Sequence, residues 1–463
     1  MYGGWVTPVP TRRFLRLLPA TTHSCLSRLR SDERGNIAVM MAFLLPILAG
    51  GLGLGFEFTN WYLQTRAMQN AADSAAMAAA SNNGSNYGVE AKAVAAQYGF
   101  VDGANHVSVA ASNTATCPAG GNTCYSVTIS SAVPLFLSQI IGYQGDTTID
   151  GARKKSLTSA AIAQPTTIQQ PICLLALNQT GESLRTNGAP NSNFTGCSVM
   201  SNSAATCNGS NLNANYGLAN GTNNGCGNKQ VSNVPVVADP YYSMRTKIPG
   251  NTCSSYPQLS KHGSTWSGGT PLSGSNSYSG NVQFCGDVQL TGDVVINTPD
   301  NVTGATIVIQ NGLLDLNGHS FSTANGSAVN IVFSGTSGTY SHYPTDLKNG
   351  GVLNIQAPSA GNFPGVAIYQ DPALTSGVNV TYAGNNPSWD ITGLVYLPNA
   401  DVQVSGDVGQ SKYGADCFVM VAGSILINGT SNIYSQSPNG AGCKLAGLNM
   451  PTATIPGRSK LVY

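Results

Sequence analysis

The chain has 463 residues and a net charge of +1, with only 9% charged residues against 41% hydrophobic ones. A nucleic-acid partner would need a basic patch, so this sparse and balanced charge argues against one. The apolar share is ample for folded cores, which argues against general disorder, and the length allows one to three folded units.

The first 35 residues form a basic segment, with Arg12, Arg13, Arg16, Arg28, Arg30 and Arg34 opposed only by Asp32 and Glu33. An uncharged, mostly apolar run follows from Asn36 to Phe56. About 20 such residues at ~1.5 Å rise match a hydrocarbon core of roughly 30 Å. The positive flank belongs on the cytoplasmic side, so the N-terminus stays inside and the bulk of the chain is periplasmic. A cleaved secretory signal has the same order of charge and apolarity. Against it stand the length of the run, the lack of an Ala-x-Ala site, and a helical pattern that continues through Trp61-Tyr62. That aromatic pair suits the outer membrane–water boundary. The expectation is a single-pass inner-membrane anchor in contact with lipid.

Residues 36–81 read as one spine, about 65 Å long if continuous. Pro46 should loosen it by depriving the Ala42 carbonyl of its partner. Gly51 and Gly55 form a G-x-x-x-G that lets membrane helices approach, although Gly50 and Gly53 show that glycine is common throughout this run. The alanines Ala71, Ala72, Ala75, Ala76, Ala78, Ala79 and Ala80 give high helix propensity and a thin profile. They are expected to pack on the domain that follows.

Residues 82–164 read as a small α+β module. Val89–Tyr98 predicts an amphipathic helix with Val89, Ala93, Ala96 and Tyr98 near one face. Strands are predicted at 106–111, 125–131 and 147–152, with Cys117 and Cys124 bracketing a turn. Pro134–Ile141 reads as a short apolar helix or docking segment. His106 reads as a strand-end residue and Arg153-Lys154-Lys155 as a solvated loop.

From 165 to 463 the helical period disappears. Short apolar runs recur between Gly, Asn, Asp and Ser: Ile172–Leu177, Val282–Phe284, Val288–Leu290, Val294–Ile296, Thr306–Ile309, Leu313–Leu316, Val329–Phe333, Val352–Ile355, Val366–Tyr369, Ile391–Leu397, Val402–Val404, Phe418–Ala422 and Ile425–Ile427. Loose G-D and N-G turns repeat at Gly286-Asp287, Gly292-Asp293, Asn317-Gly318 and Gly406-Asp407. Many short strands with dense turns predict a β-helix or solenoid-like body, with a β-sandwich as the rival. Residues 178–280 read as long loops or irregular coils. The fold class is thus mainly β, with an N-terminal transmembrane helix and a small α+β module ahead of the repeat body.

Cysteine parity agrees with export. Of 11 cysteines, Cys25 alone precedes the membrane run. Cys117, Cys124, Cys173, Cys197, Cys207, Cys226, Cys253, Cys285, Cys417 and Cys443 all follow it, an even set suited to an oxidising compartment. Short loops make Cys117–Cys124 and Cys417–Cys443 the first candidate disulfides. No C-x-x-C or clustered Cys/His spacing suggests a metal.

Catalytic signals are weak. β-Helix enzymes acting on polysaccharides gather carboxylates on one face. Here Asp287, Asp293, Asp315, Asp371, Asp390, Asp401 and Asp407 are dispersed, mostly at turns that favour Asp for backbone reasons. Asp287 and Asp293, six apart, could share an edge, but a turn role is the simpler account. There is no H-E-x-x-H, P-loop or G-x-S-x-G, and His23, His106, His262, His319 and His342 are scattered. No enzyme activity and no cofactor are expected.

The runs Asp32–Val39, Leu45-Pro46, Asn60-Trp61-Tyr62-Leu63-Gln64 and Gln69–Ala76, in this order, resemble the N-terminal module of TadG-like proteins. That family serves tight-adherence (Flp) pilus assembly in bacteria. The resemblance implies a membrane-anchored structural component of pilus assembly or anchoring, whose partners are other assembly components, and it suggests a pilin-like plan for the α+β module. Pilins of the system are processed after a Gly with Glu at the fifth following position; here that residue is Met40, so Gly35 is expected to stay uncut. Cys173–Leu177, Gly196–Val199 with Asn202-Ser203, Gly365–Pro372 and Gly393–Ala400 resemble the C-terminal region of such proteins. The alternative function is a surface adhesin-like module, with Tyr242, Trp266, Tyr278 and Trp389 stacking on glycans or cell wall.

Overall fold

The computed structural model describes residues 35–118, 120, 123–381, 388–405, 407–408, 417–429, 432–434 and 441–462. The readings placed on the basic segment, Cys25, His23 and Gly406 lie outside them. The chain divides into two units: one runs to Thr166 and takes back Arg458–Tyr463, and the other is Thr167–Gly457. Residues 458–463, grouped by their sequence with the repeat body, therefore belong to the first unit.

The first unit is built on α1 (Gly35–Asn82), which continues through Pro46. It is long and apolar enough to cross a membrane, and its most apolar stretch is unburied. Beyond Phe56 one face turns inward. Trp61, Met68, Ala71, Ala72, Ala75, Ala76, Ala79 and Ala80 are buried there, spaced three and four apart along one stripe. Their small size lets a sheet approach closely. That sheet comprises β1 (Val107–Ala115), β2 (Cys124–Pro134), β3 (Thr147–Ile149) and β4 (Ala152–Gln164), all antiparallel in the order β1-β2-β4-β3. Lys460–Leu461 adds to β4 as a further antiparallel partner.

Three expectations change. In α2 (Tyr87–Gln97) the buried residues are Ala91 and Ala95, whereas Val89 and Tyr98 are exposed. The small residues face α1 because only they allow close packing. Arg153-Lys154-Lys155 lies not in a loop but inside β4, where Lys155 pairs with Asp146 at 2.6 Å. Trp61 turns inward onto Tyr143 instead of lying open beside Tyr62, which remains exposed, with Arg66 over its ring.

The second unit is mainly β, and among the described residues its largest sheet has 21 strands. One ladder runs, in spatial order, through Gly280–Cys285, Ala305–Gln310, Val329–Ser334, Val366–Gln370, Gly393–Leu397 and Phe418–Ala422, every pairing parallel. It then continues from Met420–Ala422 to Leu174–Ala176, and on to Val199–Ser201, Gly217–Ala219 and Lys229–Val231. The chain thus enters this ladder in its middle. It winds outward to Val231, crosses to the far end through residues 232–259, and winds back to meet its own beginning. A second parallel ladder passes from Thr270–Ser277 through Val288–Asn297, Ser320–Thr323 and Val352–Gln356 to Ser388–Thr392.

Strands such as Ala305–Gln310 and Val329–Ser334 are buried along their whole length because both faces are covered. One face meets the interior cluster that includes Ile307, Ile331, Phe333, Leu353 and Trp389. The other, carrying Val308, Val332, Tyr369, Leu394 and Val419, meets Val234, Tyr241, Leu448 and Ile455 from the crossing segment and the C-terminal stretch. The polar region 178–280, expected as loops, supplies strands at Glu182–Asn187, Ser198–Ser201, Ala204–Cys207 and Tyr216–Ala219. Their hydrogen-bonded rungs and small side chains stack without a strong apolar signature.

Candidate functional site

In the first unit, chemistry concentrates where α1 leaves its apolar run. Glu57 is 4% exposed although it lies beside Phe56 and Phe58, both open to solvent. Its carboxylate accepts hydrogen bonds from the backbone amides of Phe136 (3.0 Å), Leu137 (2.8 Å) and Ser138 (2.8 Å), and from the Ser138 hydroxyl (2.8 Å). These amides open the short 3-10 turn Ser138–Ile141 and have no partner of their own within it. One turn earlier along α1, a Cβ at Gly53 would collide with the Leu137 side chain. One turn later, Trp61 meets the Tyr143 ring at 5.9 Å. Gly53, Glu57 and Trp61, spaced four apart, therefore hold the segment after β2 along one line of the spine.

Gly51 and Gly55, expected to pack against another membrane helix, make no contact within one copy of the chain, while Gly53 packs inside this unit on Leu137. A Cβ at Gly51 or Gly55 meets open space. Glu57 was legible only as the first charge after the apolar run; its contacts lie about eighty residues away in sequence.

In the second unit the aspartates act as ties between successive rungs. Asp287 is buried and accepts from the amides of Leu259 (2.7 Å) and Leu313 (2.9 Å). Burial pushes its carboxyl above the ordinary range, opposed by those two bonds, while neighbouring Asp315 adds to the rise. Asp315 accepts from Asn317 and Leu347, and from the Gln289 side chain at 2.8 Å. Asp346 takes the amides of Gly318 and Gly351. Asp293 accepts from the Ser320 amide at 2.8 Å and faces His319 at 3.8 Å. Each carboxylate neutralises turn amides that the ladder leaves unpaired.

Residues 232–259 are clamped across the ladder. Asn202 exchanges two bonds with the Val237 backbone (2.8 and 2.9 Å), and Asn220 donates to the Val234 carbonyl. Tyr369 and Tyr396 stack at 4.7 Å; Tyr369 donates to the Tyr241 carbonyl and Tyr396 to Asp239. Burial, first of all, pushes all three tyrosine hydroxyls upward, so they stay protonated donors. The ten cysteines beyond the apolar run pair as Cys117–Cys124, Cys173–Cys197, Cys207–Cys226, Cys253–Cys285 and Cys417–Cys443. Cys253–Cys285 fixes the crossing segment to the terminal rung.

Trp389, considered for glycan stacking, is a core residue at 1% exposure, and Tyr278 packs against Phe284. Tyr242 remains half exposed, beneath Arg245. His106 sits at the start of β1 and faces Asp150 at 3.3 Å. Among the described residues, no group of three or more His, Cys, Asp or Glu side chains gathers as a metal would require.

These features define a class: a protein with a membrane-type helical spine, an antiparallel cap, and a disulfide-linked, mainly β body. Residues 35–82, the whole of α1, match the family described as putative Flp pilus-assembly TadE/G-like. The spine is accordingly the part of the chain that resembles this family. No curated protein and no solved structure matches the chain.

Proposed function

We propose that this protein is a single-pass inner-membrane component of tight-adherence (Flp) pilus assembly or anchoring, its N-terminus cytoplasmic and its bulk in the periplasm. The observation that carries the reading is the coincidence of the TadE/G-like match with α1, the one described helix apolar enough to cross a bilayer. Arginines before the apolar run and five disulfides after it support the orientation. The antiparallel cap on the buried half of α1 fits a pilin-like module, with Gly35 left uncut. The parallel ladders fit a solenoid whose rungs share one core. The function is structural: lipid holds the spine, other assembly components meet the exported mass, and no step of catalysis is assigned.

An adhesin-like role is the weaker reading, because two of its four candidate aromatics are taken up, Trp389 by burial and Tyr278 by Phe284. Deleting the coding region tests the proposal directly. Loss of pilus display or of surface attachment, restored by the full chain, is the expected result; unchanged piliation would overturn it.

A further inference from the structure

The segment Leu135–Ile141 has an apolar surface that neither the sheet nor α1 consumes. Its backbone amides turn to Glu57 and Leu137 packs at Gly53, yet Phe136, Ile140 and Ile141 are 67%, 78% and 63% exposed. A soluble loop would place polar residues there. The contacts also fix its height on the spine. Leu137 lies level with Gly53 and Tyr143 with Trp61, so the stretch from Leu137 to Tyr143 covers two turns of α1, about 12 Å.

The apolar run of α1 ends within those two turns, at Phe56, and Phe56 and Phe58 are themselves 78% and 53% exposed. Within this band the one charge, Glu57, is turned inward onto the loop amides, and solvent-facing charges lie at its upper edge. Arg66 lies over Tyr62 on α1, and Lys155 lies near the Tyr143 ring while paired with Asp146. Two stretches far apart in sequence thus expose apolar side chains at one level, with exposed charged groups just above it. That is the profile of a water–hydrocarbon boundary, where apolar side chains enter the acyl region and charged groups remain in the headgroup layer.

We infer that Leu135–Ile141 is a second membrane contact, in which Phe136, Ile140 and Ile141 insert into the outer boundary of the bilayer beside α1 while Glu57 clips the loop to the spine. The occupant is lipid acyl chain, and the inference rests on the reading of α1 as the membrane span. It gives the exported cap a fixed height and rotation at the membrane surface, which a lone helix does not supply.

Photo-cross-linking in native membranes tests it with the full-length chain. Three variants carry p-benzoylphenylalanine: at Ile140, at Phe43 within the apolar run, and at Val89, an exposed apolar position on α2. All three sites are solvent-open, so the replacement disturbs no packing. Lipid adducts at 43 and 140, each about tenfold above 89, are expected from partitioning into the acyl region. Lipid adducts at 43 with none above the 89 level at 140, or a protein adduct at 140 in their place, would overturn the second contact and leave the anchor standing. Absence of lipid adducts at 43 would overturn the anchor reading, and the second contact with it.

Discussion

Glu57 shows how one side chain can define a joint. Three backbone amides and a hydroxyl converge on its carboxylate, and charge-assisted bonds of this kind are roughly twice as strong as neutral ones. Glu57→Ala strands those donors and should cost about 3 kcal/mol locally. Amide exchange at 136–138 should rise sharply while the β2–β4 ladder stays protected; unchanged exchange would show that the carboxylate is dispensable. His342 carries the opposite kind of tension. It is fully buried, its Nε2 lies 3.1 Å from the Thr336 carbonyl, and its Nδ1 has no partner. Burial pushes its imidazole below the ordinary value, against the pull of the Thr336 carbonyl and Asp371. The folded state then binds this proton less readily than the unfolded chain does. Its stability is full above about pH 6.5 and declines as pH falls through that value. His342→Gln should flatten the pH dependence of the urea midpoint between about pH 7 and 5, and equal slopes in both proteins would refute this.

At the scale of elements, the contrast among the spine glycines is informative. Gly53→Leu forces Leu137 aside, and overpacking of this kind costs about 1–3 kcal/mol. It should free the 134–141 segment, whereas Gly51→Leu and Gly55→Leu should leave that segment's amide exchange as it is. If Gly51 and Gly55 pair helices as their spacing suggests, the latter two variants should instead lower the dimer fraction seen by in-membrane cross-linking. The crossing segment 232–259 offers a second test. Removing Cys253–Cys285 by paired Ser substitutions should cost about 2–4 kcal/mol and open that segment to protease first; resistance equal to the parent would mean that the polar clamps suffice.

Elements with strong local signals were legible in the sequence. Apolar runs such as Thr306–Ile309, Val329–Phe333 and Val366–Tyr369 fall on strands, and the alanine stripe falls on the buried side of α1. Elements defined by distant partners were not. The basic start of β4 reads as a loop until Asp146 and the β2 ladder are placed beside it. Trp61 reads as an open aromatic like Tyr62 until Tyr143 reaches it. The Glu57 joint and the aspartate ties depend on contacts between segments distant in sequence, which no local pattern encodes.

For the whole molecule, the decisive feature is that Leu174–Ala176 pairs on one side with Met420–Ala422 and on the other with Val199–Ser201. A chain ending near Ser334 would possess both arms of the ladder but not the rungs that join them. Such a truncation should be digested throughout 167–231 under conditions that spare the intact protein; survival of that region would show that its disulfides and local rungs are enough.

A polypeptide made from its N-terminus offers Leu174 early and Met420 late, so the central seam stays open until Phe418–Ala422 arrives. A copy interrupted before that strand keeps a raw edge, by which a protease tells it from one that has closed.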